Sequence, residues 1–191
     1  VFLNPIPLLY QSGYLTITGY DDLSGIYTLG FPNIEVKHGF LTYLLNYYTT
    51  AQKGTGNLLI RQMGVDLRTG RPDDFMKRME AFFARQNYQI PADVEKDFQY
   101  AMSIILQLLG EYFTVRTEDA SSSVRSDISI ETPDYVYIIE IKKDESADAA
   151  LSQIVEKAYD RRYADDSRKV FKIGISFSTR FRGIEEWKVA D

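Results

Sequence analysis

The sequence predicts an α/β protein built on a mixed β-sheet that helices flank. Residues 125–142 hold two segments of strand character joined by Pro133 and Asp134, which are typical turn residues. A helical pattern over 146–160 and an apolar strand pattern over 170–177 follow. A hairpin makes its two strands antiparallel, whereas a strand–helix–strand crossover makes its two strands parallel. The sheet is therefore expected to contain both kinds of strand pair.

The N-terminal part predicts a small hairpin followed by a helix. Residues 1–9 are expected to be extended, because Pro5 and Pro7 lie in this apolar run. Strand patterns at 14–18 and 26–29 flank a turn. The helix that follows has apolar residues at helical spacing, namely Phe40, Leu41, Leu44, Leu45 and Tyr48. Because a hairpin and one helix bury little area, we expect this part to pack on the rest of the chain.

The middle of the chain predicts a loop and then three helices. Residues 53–57 contain two glycines but lack the complete phosphate-loop pattern, so we predict an ordinary loop there. Helical patterns cover 58–65, 73–86 and 93–110. Glycine and proline at 69–72 separate the first of these helices from the second.

That break is the candidate domain boundary. We predict an N-terminal segment at 1–70 and a second domain at 71–191. The second domain begins with helices and continues through a strand at 112–116 into the hairpin.

The predicted hairpin places two carboxylates opposite each other. If the turn is centred on Pro133 and Asp134, paired residues have numbers that sum to 267, which pairs Asp127 with Glu140. Their Cβ atoms are then roughly 5 Å apart on one face, where the charges repel unless a cation lies between them. Lys142 lies two residues beyond Glu140 and therefore points to the same face. The alternative interpretation is a solvated hairpin end with an ordinary salt bridge.

The composition excludes several kinds of site. The 191 residues contain no cysteine, which excludes disulfides, thiolate catalysis and cysteine-ligated zinc, and which fits a cytoplasmic protein. His38 is the single histidine, so a site with several histidines from one chain is excluded. No apolar run is long enough to span a bilayer, and we expect no membrane partner. The first residue is Val1, so we expect a fragment of a longer protein.

The charge of the chain restricts how it could bind nucleic acid. A net charge of −5 argues against a broad surface for nucleic acid. A local basic strip is the remaining candidate, and its residues are Arg161, Arg162, Arg168, Lys169 and Lys172. The alternative for these residues is a solvated helix end and loop.

The hairpin and the crossover together resemble the PD-(D/E)XK nuclease superfamily. The resemblance is carried by Asp127, by the run Glu140-Ile141-Lys142 and by Gln153 on the following helix. It implies a restriction-endonuclease-like fold, with the sheet at the core, helices around it and the hairpin-plus-helix segment at the N-terminus. It also implies that Asp127 and Glu140 bind a metal ion, with the main-chain carbonyl of Ile141 as a further ligand. Lys142 would then be the catalytic lysine, and Gln153 matches a helix glutamine of related nucleases.

A narrower resemblance concerns bacterial proteins that begin with an AAA-type ATPase-like domain and end in a nuclease-like domain. The runs YVYIIEIK at 135–142, ALSQI at 150–154 and KVFKIGI at 169–175 resemble that C-terminal domain. Two runs near the start of the chain, 8–15 and 27–32, resemble the end of the ATPase-like part.

The resemblance also implies an activity and its partners. The activity is Mg²⁺- or Mn²⁺-dependent hydrolysis of phosphodiester bonds in DNA or RNA, in contact with the ATPase-like domain of the same full-length chain. Glu95 is the candidate for a metal-binding acid on the first helix of the domain. One position departs from the pattern, since Val124 stands before Arg125 where glycine is frequent, which alters the turn more than the chemistry. The alternative is a catalytically inactive nuclease-fold module that binds nucleic acid or protein.

Overall fold

A five-stranded mixed sheet is the centre of the larger of two units. The structure is a computed structural model that describes residues 4–47, 55–84, 94–117 and 128–191. The chain divides into one unit at Val1–Leu44 and a second at Leu45–Asp191. Among the residues that the structure describes, every helix is too short or too polar to cross a bilayer.

The first unit contains a hairpin between two helices. Its elements are helix α1 (Ile6–Gln11), strands β1 (Thr16–Asp21) and β2 (Ile26–Gly30), and most of helix α2 (Ile34–Tyr47). The antiparallel pairing of β1 with β2 confirms the predicted hairpin. The expected extended lead-in is wrong at Ile6–Gln11, because Pro7 lies in the first turn of a helix, where its missing N–H is not needed.

The second unit begins with three helices and continues into the sheet. The helices are α3 (Thr55–Arg68), α4 (Pro72–Phe83) and α5 (Val94–Leu109). The elements that follow are β3 (Thr114–Thr117), β4 (Ile128–Glu131), β5 (Tyr135–Lys143), α6 (Ala147–Glu156), a 3₁₀ helix (Tyr159–Tyr163), β6 (Lys169–Ser178) and β7 (Gly183–Ala190).

The sheet has both kinds of strand pair, as the sequence predicts. The strand order is β3–β4–β5–β6–β7. β5 and β6 are parallel and are joined through α6, whereas the other neighbours are antiparallel. A mixed sheet flanked by helices confirms the α/β class and is consistent with the restriction-endonuclease-like fold.

One local expectation is wrong, and one strand is missing from the sequence prediction. The expected loop at 53–57 is helical from Thr55, since α3 extends around the buried side chains of Ile60, Met63 and Leu67. The strand β7 is absent from the sequence prediction, because adjacent Glu185 and Glu186 interrupt the alternation that marks a strand.

The boundary between the compact units lies earlier in the chain than residue 70. α3 packs against α4 within the second unit, and the two units divide between Leu44 and Leu45. The proposed division at 70 concerns the domains of a larger protein and stays a prediction.

The two faces of the sheet carry different cores. Tyr137 of β5 stacks on Phe171 of β6 at 5.4 Å between ring centroids, and its hydroxyl donates a hydrogen bond to the Leu67 carbonyl at 2.6 Å. On the same face Phe177 stacks on Phe98 of α5 at 4.1 Å. The opposite face packs against α6 and the 3₁₀ helix through the buried residues Val136, Ile138, Ile154 and Tyr163.

Gly174 of β6 allows α6 to lie directly on the sheet. A Cβ atom at this position would lie 2.3 Å from the carbonyl oxygen of Ala147 and 3.0 Å from the backbone nitrogen of Leu151. Two side chains hold the start of the helix. Ser146 caps it, because its hydroxyl oxygen accepts a hydrogen bond from the Ala149 N–H at 3.2 Å. Glu186 of β7 accepts a hydrogen bond from the Ala147 N–H at 3.3 Å. The helix thus begins where the helical pattern over 146–160 predicts it.

An ionic network fastens the loop before β6 to the hairpin. Glu131 of β4 accepts hydrogen bonds from Arg116 at 3.0 Å, from Arg168 at 3.1 Å and from the Tyr163 hydroxyl at 3.1 Å. Arg168 also pairs with Asp166 at 2.6 Å. Burial raises the pKa of the Glu131 carboxyl, but the hydrogen bonds from its arginine and tyrosine neighbours outweigh this effect and lower the pKa below its ordinary value.

We predict that Gly174→Ala destabilises the second unit, because its methyl group would overlap backbone atoms of α6 that cannot rotate away. Overpacking of this kind costs about 1–3 kcal/mol in the free energy of unfolding, measured by urea denaturation. The matched control is Gly64→Ala in α3, where the added atom would lie 3.8 Å from the Phe113 ring. That variant should gain up to about 1 kcal/mol from helix propensity. Equal stabilities for the two variants would contradict the close-approach argument.

The Glu131 network predicts a stability that falls in acid. A carboxyl whose pKa is lowered in the folded state stabilises the fold above its unfolded pKa, and this contribution is lost as the pH falls through the folded pKa. Glu131→Gln should therefore cost on the order of 1 kcal/mol at pH 7, and the difference from wild type should shrink below about pH 4. Urea denaturation at several pH values measures it, with Glu156→Gln on the exposed side of α6 as control. A difference that stays constant with pH would refute this role.

Candidate active site

Glu140 and Lys142 lie at the end of β5, on the face that α6 covers. Glu140 is completely buried, whereas Lys142 is partly exposed. Their neighbours on β6 are Gly174 and Ser176. The structure therefore places the carboxylate and the ammonium on one face, as the two-residue spacing predicts.

Gln153 of α6 contacts both charged groups. Its side-chain oxygen accepts a hydrogen bond from the Lys142 ammonium, and its side-chain nitrogen donates a hydrogen bond to a Glu140 carboxylate oxygen. A primary amide carries both an acceptor and two donors, so it can serve an ammonium and a carboxylate at the same time. A charged side chain at this position would repel one of the two partners. The chain thus brings together three of the residues that the sequence singles out.

The hairpin has the register that the turn predicts. The described pairs run from Ile128 with Ile139 to Glu131 with Val136, and each pair sums to 267. The turn closes through the Thr132 N–H and the Tyr135 carbonyl at 2.8 Å. The predicted partner of Glu140, Asp127, lies outside the described residues, so its position opposite Glu140 stays a prediction.

The structure describes only some of the atoms of the two other predicted metal ligands, Glu95 and Ile141. The side chain of Glu95, near the start of α5, also lies outside the described part of the structure. The Ile141 side chain is buried on the opposite face of β5, so only its main-chain carbonyl could serve as a ligand. Among the described residues no group of three acidic or histidine side chains forms a complete metal centre.

The described donors suit a hard divalent cation. The Glu140 carboxylate and the Ile141 carbonyl are oxygen ligands, the kind that Mg²⁺ prefers. Glu140 is also completely buried, and a buried carboxylate is costly unless a cation or hydrogen bonds compensate its charge. The donors that this part of the chain supplies therefore fit Mg²⁺ or Mn²⁺.

An open groove of about 550 Å³ borders the site on the β6–β7 side. Its lining is Asp144, Glu145, Ser146, Ser176, Ser178, Arg180, Phe181, Glu185 and Glu186. Ser176 is the direct neighbour of Lys142 in the sheet, so the groove reaches the edge of the site. Four carboxylates against one arginine make this side electrostatically unfavourable for a polyanion.

Two residues that position the site are missing from the sequence prediction. Gly174 sits next to Glu140 and lets α6 approach, and Glu186 holds the first turn of that helix. A glycine inside an apolar strand is a recognisable signal of close backbone approach. No comparable signal marks Glu186, because its partner is a backbone N–H 39 residues away.

Comparisons with known proteins agree with this architecture. A family model described as the PD-(D/E)XK nuclease superfamily matches residues 93–187. An "Uncharacterized protein in vnfD 5'region" from Azotobacter chroococcum mcd 1 is 28% identical in an alignment 192 residues long, and this alignment covers 93% of this chain and 36% of that protein. The chain thus spans about a third of the length of this relative. No solved structure matches the chain significantly.

The contacts of Gln153 predict its contribution to stability. Gln153→Met keeps the length of the side chain but removes the hydrogen bonds to Glu140 and Lys142. Loss of a partner from a buried charged group should cost about 1–3 kcal/mol in the free energy of unfolding, measured in urea. The control Gln107→Met, on an exposed position of α5, should change stability by less than about 0.5 kcal/mol. Equal effects would mean that the Gln153 contacts do not support the site.

Proposed function

Because residues 93–187 belong to the PD-(D/E)XK nuclease superfamily, we propose that this chain hydrolyses phosphodiester bonds of DNA or RNA with the help of Mg²⁺ or Mn²⁺. The observation that supports the proposal most is the contact of one glutamine with both the buried Glu140 carboxylate and the Lys142 ammonium. A carboxylate and an ammonium held side by side on a rigid strand can bind a cation and a developing anion together.

Residues of the hairpin and of helix α5 would hold the proposed ion. Asp127, Glu140 and the Ile141 carbonyl are the proposed ligands, and Glu95 is the proposed acid on α5. When bound, the ion supplies Lewis-acid polarisation of the phosphate and lowers the pKa of a coordinated water. The protein supplies the position of each ligand.

Lys142 is the proposed catalytic residue that touches substrate. Its side chain is partly exposed, so the ammonium can reach a phosphate, while its stem is held beside Glu140 by the strand. A fixed positive charge stabilises the negative charge that develops on the phosphate oxygens during attack by water. Lys142 can also donate a hydrogen bond to that water and orient it.

Gln153 is the proposed positioning residue. It accepts from the ammonium and donates to the carboxylate, which holds both groups at a fixed separation before substrate arrives. Its place in the second turn of α6 is set by the helix, and the helix is set by Gly174. Preorganised groups of this kind avoid reorganisation during the reaction.

The proposal extends to the context of the chain. We propose that the hydrolytic site works beside an ATPase-like domain of the same full-length protein, in the cytoplasm. The runs at 8–15 and 27–32, which resemble the end of such a domain, support this arrangement. So does the greater length of the relative, of which this chain matches 36%.

The test is a set of melting curves and cleavage assays on the full-length protein. Mg²⁺ or Mn²⁺ should stabilise wild type, by about 2.7 kcal/mol at a hundredfold excess over the dissociation constant. Glu140→Gln should lose this stabilisation and the cleavage of oligonucleotides, yet fold at least as well in EDTA, since it buries an amide and not a charge. Lys142→Ala should keep the metal effect and lose cleavage by about 10²–10³-fold.

Two neighbouring substitutions serve as controls. Glu156→Gln removes an exposed carboxylate of α6, and Lys143→Ala removes the ammonium that follows Lys142 on the other side of the strand. Both variants should keep metal stabilisation and cleavage. If wild type shows neither effect, hydrolysis is excluded and a nuclease-fold binding module takes its place.

A further inference from the structure

We infer that a small recess beside the candidate active site binds one phosphate oxygen of the nucleic-acid strand, at a phosphate next to the one that Lys142 contacts. The inference rests on the proposed function, because it assigns a second contact to the same substrate. Three observations carry it: a buried hydroxyl, two arginines in the lining of the recess, and the position of Ser129 in the register of the sheet.

The recess lies on the face of the sheet that carries Glu140. Its lining is Arg116, Ile128, Ser129, Ile138, Tyr159, Arg162 and Tyr163. Its volume is about 20 Å³, which is enough for one oxygen-sized atom and too small for a whole phosphate. A ligand must therefore insert a single oxygen and leave the rest of its group at the opening.

Ser129 supplies a polar group to this recess. Only 7% of the residue is exposed, and its hydroxyl has no hydrogen-bond partner among the residues that the structure describes. Burial of an unpartnered hydroxyl costs about 1–3 kcal/mol, so an acceptor in the recess would recover this energy. A phosphate oxygen is an acceptor that fits both the volume and the hydroxyl.

The two arginines give the recess its preference for an anion. Arg116 is 59% exposed and contacts Glu131 through its Nε, while Arg162, which also lines the recess, is exposed on the 3₁₀ helix. Guanidinium groups bind phosphate in planar, bidentate fashion. The acidic groove on the other side of the site has the opposite charge, so of these two sides the arginine side is the more favourable for a polyanion.

The strand register places Ser129, and with it the recess, close to Glu140 of the candidate active site. Ser129 pairs with Ile138, and Ile138 lies two residues before Glu140 on the same face. Two residues along a strand span about 6.6–6.8 Å. Ser129 itself lies on the neighbouring strand, about 5 Å across the sheet from Ile138. A nucleic-acid strand whose reacting phosphate lies beside Glu140, where Gln153 also contacts the Lys142 ammonium, can therefore bring its neighbouring phosphate to Ser129, Arg116 and Arg162.

The binding test compares two arginines that are adjacent in sequence. Arg162→Gln removes a residue that lines the recess, whereas Arg161→Gln removes an exposed arginine outside its lining. With the full-length protein and fluorescent DNA and RNA oligonucleotides, Arg162→Gln should weaken binding about tenfold or more, and Arg161→Gln should have a much smaller effect. Ser129→Ala should weaken binding without loss of thermal stability, because the hydroxyl has no partner in the described structure.

A scan of the substrate separates a specific contact from general charge. Oligonucleotides with one neutral methylphosphonate at successive positions should bind wild type poorly when the change lies next to the cleaved bond. In Ser129→Ala and Arg162→Gln that position should no longer matter, whereas Arg161→Gln should keep the wild-type profile. Identical profiles in all four proteins would overturn the subsite, and so would equal binding losses for the two arginine variants.

Cleavage by wild type and by Glu140→Gln is measured in parallel. If wild type cleaves but binding does not depend on Ser129 or Arg162, the subsite is refuted and the proposed hydrolysis is supported. Binding that depends on Ser129 and Arg162 in a protein that does not cleave keeps the subsite and removes the proposed hydrolysis.

Discussion

The close contact between α6 and β6 is the constraint on which the candidate site depends. At Gly174 the helix backbone comes so near the sheet that no side chain fits between them. This contact sets the height of α6 above β5, and Gln153 reaches Glu140 and Lys142 from that height. Packing at a residue without a side chain thus determines the geometry of the polar groups. The dependence explains why a glycine interrupts an otherwise apolar strand beside the site.

Burial of Glu140 is unfavourable for the fold by itself. A completely buried carboxylate loses its hydration, and the amide hydrogen bond from Gln153 offsets part of that loss. The burial of Glu140 therefore fits a carboxylate that is retained for binding a cation rather than for stability. Lys142 lies beside this carboxylate, since its partly exposed side chain donates a hydrogen bond to Gln153.

The sequence predicts the hairpin and the crossover well because their signals are local. Pro133 and Asp134 favour the turn, a turn centred on them gives the observed register, and Ser146 caps the start of α6. What the sequence misses depends on contacts between distant segments. β7 is stabilised as a strand by pairing with β6, although Glu185 and Glu186 obscure its pattern. Asp127 and Glu95 stay predictions, because the described structure does not include their side chains.

The net charge of the chain is a poor guide to the charge around the site. An overall −5 argues against a broad nucleic-acid surface, yet four carboxylates near the site line one groove on the β6–β7 side. Across β5, on the β4 side, Arg116 and Arg162 line a recess that contains an unpartnered hydroxyl. Of these two sides, the one with the arginines is the more favourable for a polyanion. Charges of both signs can therefore orient one strand across Lys142 and exclude the opposite approach, which a uniformly basic surface could not do.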